Sequence, residues 1–258
     1  MIESKAEGLD MDTSIGGRSG RFPATEWSAI VAAGSTDPAE RTRAMETLIA
    51  AYWKPVYKYV RIKWRKSNED AKDLTQGFFA AAIEKDFFKS YDPAKARFRT
   101  FLRTCLDGFI SNEEKAARRI KRGGDAVLLS IDFESAEDEI RRADLPAPET
   151  LDEYFDKEWV RSLFGLAIDN LKAECEAKGK SVHFRLFESF YLDEENDSGR
   201  ITYDRLARES GLSTSNVTNY LAYARREFRR IVLERLREVT ATQEEFRREA
   251  RSLLGVDI

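Results

Sequence analysis

Histidine and cysteine are almost absent from this chain. Its 258 residues hold one histidine, His183, and two cysteines, Cys105 and Cys175. Neither cysteine has a CxxC neighbour and both fall in helical patterns, so neither a disulfide framework nor a zinc site is expected. A single histidine makes a histidine-based metal or catalytic centre an unfavoured reading. No apolar run approaches the ~20 residues that span a bilayer, and the first residues lack a signal-peptide core. There is no Gly-rich phosphate loop, no nucleophile–base pair and no metal-ligand spacing. An enzyme is therefore the least favoured class, and no metal, no cofactor and no membrane partner is expected. Asp152, Glu153, Asp156 and Glu158 resemble a carboxylate site, but a solvated helix start accounts for them better. The reducing cytoplasm is the expected compartment.

What is present points to helices and to nucleic acid. Charged residues make up 34% and hydrophobic residues 42%, a balance typical of helix-rich soluble chains. The net charge of −3 does not itself suggest nucleic acid. Its distribution does. Residues 95–122 carry nine basic groups against three acidic ones, and residues 200–237 carry nine arginines against four acids. Between them, residues 125–160 carry twelve acids against three bases. Two basic blocks flanking an acidic one suit two phosphate-facing modules, although solvated helix faces give the same pattern.

The pattern is all-α, with no strand-like alternation and no repeat. Residues 1–22 are polar and rich in Gly, Ser and Asp, which predicts a disordered leader. Thr25 caps a short helix ending at Gly34. Asp37-Pro38-Ala39-Glu40 is a strong helix start, followed by apolar residues at helical spacing from Met45 to Val60. Pro55 predicts a kink or a split in that helix. Ser67 and Asp70 cap a helix over residues 68–85. A basic helix follows from Arg97 to Ile120 and stops at Gly123-Gly124. These elements form a helical domain over residues 25–122. Residues 123–156 read as an acidic linker with one short helix at most. Helical spacing resumes over residues 156–177 and 184–191, with residues 193–199 as a loop. A second domain spans residues 157–240, and residues 241–258 form a C-terminal helical extension.

Residues 203–230, YDRLARESGLSTSNVTNYLAYARREFRR, read as a helix-turn-helix running into an arginine-rich helix. Such a motif needs a small residue in its first helix, a glycine at the turn and a branched apolar residue in the second helix. Ala207, Gly211 and Val217 fill these roles, with Leu206, Leu212 and Leu221 completing a small core. Ser213 caps the second helix. Ser213, Thr214, Ser215, Asn216, Thr218, Asn219 and Tyr220 lie near its start, where base-edge and phosphate contacts belong. Arg225, Arg226, Arg229 and Arg230 lie further along, placed for the DNA backbone. An ordinary helical hairpin with a Ser/Thr-rich turn is the plainer alternative.

A second constellation lies upstream. Asp70, Asp73 and Gln76 recur every three residues, so they share a helix face able to meet a basic partner. Leu74, Phe78 and Phe79 supply apolar packing. Together with Tyr91-Asp92-Pro93 and Arg97-Phe98-Arg99-Thr100-Phe101-Leu102, this segment resembles the bacterial RNA polymerase sigma factors, and more closely their extracytoplasmic-function type. DAKDLTQGFF at residues 70–79 is similar to that family's DAEDLxQxxF helix, which docks on the clamp of the polymerase's largest subunit. YDP and RFRTFL are similar to its FDPxxxxFRxWL segment. The helix-turn-helix is similar to its −35 reader.

The resemblance covers residues 25–122 and 157–237. It implies a non-enzymatic alternative sigma factor that joins core RNA polymerase through the clamp and flap, melts the −10 element and reads the −35 element of promoter DNA. It places core-polymerase binding on Asp70, Asp73, Leu74, Gln76, Phe78 and Phe79. It places the −10 contacts on Arg97, Arg99, Arg103, Thr104, Asp107, Asn112, Lys115, Arg118, Arg119, Lys121 and Arg122. Phe98, Phe101 and Phe109 are more often core than base-stacking. The −35 contacts fall on Ser213, Thr214, Ser215, Asn216, Thr218, Asn219, Tyr220, Arg225 and Arg226. Five positions depart from the family pattern: Lys72 stands where Glu is usual, Asp107-Gly108 stands where an Arg-Asn pair is common, and Thr218 and Tyr220 replace a usual Lys and Arg, so fewer phosphate contacts are expected in the recognition helix. The acidic segment is expected to pass near the RNA exit path and imitate nucleic acid. An anti-sigma partner or a regulatory kinase is the control the resemblance suggests, with Thr75 as a phosphorylation position. The competing reading is a free-standing helix-turn-helix regulator, which leaves DLTQ and RFRTFL unexplained.

Overall fold

The computed structural model describes residues 28–85, 87–117, 131–142, 151–192 and 201–255. Among the described residues there are helices and turns and no strand. The helices are α1 (Ala29–Ala32), α2 (Pro38–Lys63), α3 (Asn68–Glu84), α4 (Phe98–Ala117), α5 (Phe133–Arg142), α6 (Leu151–Ala177), α7 (Ser181–Tyr191), α8 (Tyr203–Ser210), α9 (Thr214–Glu238) and α10 (Gln243–Leu254), with a 3₁₀ turn at Phe87–Ser90 before α4. The expected leader, the acidic stretch before α5 and the loop at 193–199 lie outside the described residues.

Caps set the helix starts as the sequence predicts. The Asp37 carboxylate accepts from the Ala39 amide at 2.9 Å, with Pro38 in the first turn. Ser67 accepts from the Asp70 amide at 3.1 Å, and its hydroxyl donates to the Asp70 carboxylate at 2.8 Å. Thr202, Ser213 and Thr242 cap α8, α9 and α10 in the same way. Each cap supplies an acceptor for an amide that has no partner in the first turn. Pro55 does not split the helix. α2 runs through it as one 26-residue helix. The lost hydrogen bond is offset by burial, since Tyr52, Val56, Tyr57 and Tyr59 around it are almost inaccessible.

The apolar interior falls into two clusters, and α6 belongs to both. Its Phe155, Trp159 and Leu163 enter the first, formed with α1 to α5. Its Ala167, Leu171 and Cys175 enter the second, formed with α7 to α9. These six buried residues are spaced by four. At 100° per residue, each such step advances about 40° beyond a full turn, and five steps turn the stripe by roughly 200°. One helix thereby faces α2 at its start and α7 and α9 at its end. The expected domain boundary at residue 157 therefore falls inside a continuous helix. The C-terminal extension also differs from a separate tail: α10 returns to the first cluster through Phe246 and Ala250.

The acidic segment is not a free linker where it is described. α5 packs on α2, and its acids meet α2 cations. Arg61 donates to both oxygens of Glu137, at 2.8 and 2.6 Å, and the Tyr57 hydroxyl donates to Glu137 at 2.7 Å. Glu139 bridges Lys54 and Lys58, both at 2.5 Å. Lys58 also contacts Glu158 of α6 at 2.5 Å, and both are buried. Arg161 pairs with the other oxygen of Glu158. The expected solvated helix start at Asp152–Glu158 is corrected at Glu158, which is buried, while Asp152 and Glu153 are exposed. Glu137, Glu139 and Glu158 of the stretch expected to imitate nucleic acid are held by α2 cations, and Asp125, Asp144 and Glu149 lie outside the described residues.

Two outcomes follow. Lys58→Met leaves the buried Glu158 with Arg161 alone and is expected to cost about 3 kcal/mol, whereas pairing it with Glu158→Leu should recover part of the loss. Urea unfolding of the three chains measures this, and equal stability of the single and double variants would contradict it. The Arg61 hydrogen bonds, with help from Tyr57 and against burial, lower the Glu137 carboxyl to about 2. A depressed acid stabilises the fold above its unfolded value near 4.5 and loses that contribution as pH falls toward 2. Stability should therefore drop between those pH values, and Glu137→Gln should flatten that part of the curve.

Candidate nucleic-acid interface

α8, the three residues Gly211, Leu212 and Ser213, and α9 form a helix–turn–helix unit. Gly211 ends α8 with φ +67°, the left-handed region that favours glycine, and its amide donates back to Ala207. Leu206, Ala207, Val217 and Leu221 are buried together between the two helices. This packing leaves the start of α9 outward. Ser215, Asn216 and Asn219 are exposed there. Ser213 accepts from the Asn216 amide at 3.2 Å, so its oxygen serves the helix start. The Thr214 hydroxyl donates to Asp204 at 3.0 Å and the Thr218 hydroxyl to the Thr214 carbonyl at 2.9 Å. Arg225, Arg226 and Arg229 remain exposed further along. Arg230 does not match its expected role on the DNA backbone, because Glu174, Glu227 and Glu234 all pair with it.

Tyr220 is also placed differently from an open reading residue. It is half-buried, and His183 of α7 stacks on its ring with centroids 4.0 Å apart. His183 meets Tyr223 edge-on at 5.2 Å, and the Lys180 ammonium lies 3.7 Å from the Tyr223 ring centre. Burial first, and the nearby Lys180 charge second, hold the His183 imidazole below its ordinary value, which keeps it neutral at pH 7. α7 thus props the aromatic side of α9. No sequence signal marks this pair, because the contact joins residues 37 apart on helices whose packing is tertiary.

The start of α4 departs most from expectation. Phe98, Leu102, Leu106 and Ile110 bury one stripe of the helix. The arginines beside that stripe are not open to DNA. Arg99 is only 7% exposed, 2.9 Å from Asp156 and 2.8 Å from Glu249. Arg97 lies 3.3 Å from Glu249, and Arg103 lies 2.7 Å from Asp152. Asp107 accepts from Lys63 at 2.7 Å, Trp64 Nε1 at 3.0 Å and the Tyr59 hydroxyl at 3.2 Å. It fastens α4 to the end of α2 and does not face outward as a −10 contact. Thr104, Asn112 and Lys115 are exposed on α4. Arg118, Arg119, Lys121 and Arg122 lie outside the described residues. Phe98 is core, while Phe101 and Phe109 are partly buried against it.

On α3, Asp70 and Asp73 are exposed and Gln76 is half-buried, so the expected polar ridge faces outward. Lys72 pairs with Glu69 at 3.1 Å on that surface. Leu74 is half-buried against the core. Phe78 and Phe79 are fully buried and pack edge-to-face on each other, 5.4 Å apart. They hold α3 in place and cannot touch a partner. Thr75 is likewise fully buried and its hydroxyl has no partner. Phosphorylation there would require α3 to detach, which removes the expected position for a regulatory kinase.

Among the described residues there is no cluster of potential metal ligands, and no helix is long and apolar enough to cross a membrane. No protein-family model, no curated protein and no solved structure matches the chain.

The turn geometry gives a direct test. Gly211→Ala has open space for its methyl group but must hold φ +67°, which costs on the order of 1 kcal/mol. Ser213→Ala removes the cap of α9 and should cost about 1 kcal/mol. Both losses should appear in thermal unfolding, with faster amide exchange in residues 214–218. Unchanged exchange there would contradict the assigned turn.

Proposed function

We propose that this chain is an alternative sigma factor, a non-enzymatic subunit that joins core RNA polymerase and directs it to promoter DNA. The observation that carries the reading is the α8–α9 unit, whose second helix presents Ser215, Asn216 and Asn219 at its exposed start and Arg225, Arg226 and Arg229 beyond them. Amide side chains at the start of such a helix suit adenine edges in a major groove, and arginines one to three turns on suit phosphates. The outward Asp70–Asp73–Gln76 ridge of α3 supports a second contact, with a basic surface of the polymerase. Neither DNA contact need be tight alone, because core polymerase supplies effective concentration by tethering both.

One observation favours the competing reading, a free-standing helix-turn-helix regulator. Arg97, Arg99 and Arg103 at the start of α4 are paired inside the chain, whereas Arg225, Arg226 and Arg229 of α9 are exposed. Binding assays separate the two. For the sigma reading, the protein should be retained by purified bacterial core polymerase, and Asp73→Lys should weaken that retention about tenfold, the effect of one like-charge contact. Asn216→Ala and Asn219→Ala should lower discrimination between promoter sequences by about 1–3 kcal/mol each. Arg225→Ala should weaken binding to all sequences alike and reduce the salt slope by about 0.9. Sequence-specific duplex binding with no retention by core polymerase would establish the regulator instead.

A further inference from the structure

The most unusual charge arrangement in the molecule lies at the start of α4. Arg99 and Arg103 are one turn apart, and so are Asp152 and Asp156 on α6. They pair in antiparallel register, Arg99 with Asp156 at 2.9 Å and Arg103 with Asp152 at 2.7 Å. α10 covers the same turn from the other side. Glu249 lies 2.8 Å from Arg99 and 3.3 Å from Arg97. Glu245 accepts from the Phe98 amide at 3.0 Å and the Tyr91 hydroxyl at 3.2 Å, so it caps α4 from 147 residues away. Every cation and the free amide at this helix start therefore meet a carboxylate. A row of carboxylates on arginines and a helix N-terminus is the arrangement a phosphate backbone would make there.

The fit of these carboxylates is not uniform. Glu249 is 2% exposed and meets Arg99 and Arg97 with one oxygen each, so it is the firmly held member of the row. Asp152 and Asp156 keep 69% and 42% of their side chains exposed, so their pairs are solvent-screened and exchangeable. α10 packs most closely on α9, buries Phe246 and Ala250 in the apolar cluster that also holds the α4 stripe, and meets the α4 arginines through Glu249.

We propose that α10 and the first turns of α6 act as a built-in competitor of nucleic acid, holding the anion site of α4 with carboxylates until a single DNA strand replaces them. The inference rests on the reading of the chain as a promoter-directed initiation subunit and adds a control to it. Displacing the carboxylates exposes Arg97, Arg99 and Arg103 together, so α4 gains its phosphate contacts in one step. In the closed form the chain meets DNA through α9 alone, and strand binding by α4 is coupled to movement of α10.

The test uses the full chain and a labelled 12-nucleotide single strand, with affinity read by fluorescence anisotropy over a salt series. Asp152→Asn with Asp156→Asn removes the two more exposed competitors, and thermal unfolding of the variant checks that the fold survives the loss of one Arg99 partner. Asp169→Asn with Glu176→Gln changes the net charge equally from exposed positions of the same helix and serves as the control. The first pair should bind about tenfold more tightly than the control, with a salt slope steeper by roughly 1.4, the value for two further phosphate contacts on a single strand. Glu249→Gln should tighten binding further and speed amide exchange in α10. Equal affinities and slopes for the first pair and the control, with the unaltered chain binding DNA, would overturn the competitor while leaving the functional reading intact. No strand or duplex binding by any of the chains would overturn the functional reading, and the competitor with it.

Discussion

Lys58 and Glu158 are both buried, and their contact fixes how α6 lies on α2. A buried ion pair adds little net stability, because desolvation cancels much of the attraction. Its consequence here is register. An α6 shifted by one residue would separate the two buried charges and leave Lys58 with Glu139 and Glu158 with Arg161 alone, a cost of several kcal/mol. The permitted register sets Tyr52 against Trp159 with ring centroids 6.2 Å apart, and Tyr59 against Phe155 at 5.5 Å. It also brings Asp152 and Asp156 alongside α4 and sends the far end of α6 to α9. The position of the helix–turn–helix relative to α4 therefore descends from one pair of charges toward the end of α2.

The same logic explains where the acidic block of the sequence goes. Glu137, Glu139 and Glu158 meet Arg61, Lys54 and Lys58 on α2, while Asp152 and Asp156 meet arginines of α4. Two pairs, Arg99–Asp156 and Arg103–Asp152, join the basic block of residues 95–122 to the acidic block of residues 125–160, and α2 supplies the cations for the buried acids of that block, Glu137 and Glu158. That complementarity leaves α9 with the exposed arginines and the polar helix start, and α3 with the exposed acids. The molecule is polarised by what its interior consumes.

Local signals were legible in the sequence because their causes are local. The caps at Asp37, Ser67 and Ser213 and the glycine stop at Gly211 each depend on residues within four positions. The all-helical class and the small core of Ala207, Val217 and Leu221 were legible for the same reason. Long-range pairing was not. Arg99 finds its partners 57 and 150 residues away, and nothing in its neighbours distinguishes it from the exposed Arg225. Phe78 and Phe79 sit beside surface acids on one helix, and only packing shows that they point inward. Pro55 leaves α2 continuous because the burial around it, which its sequence neighbours alone do not reveal, offsets the lost hydrogen bond.

The central functional claim is that this chain brings polymerase to particular DNA sequences. Run-off transcription tests it most directly, with purified bacterial core polymerase on fragmented genomic DNA, with and without the protein, reading RNA 5′ ends. New start sites that share two upstream sequence motifs are expected. An unchanged set of starts, from a protein that also fails to bind the core enzyme, would contradict it.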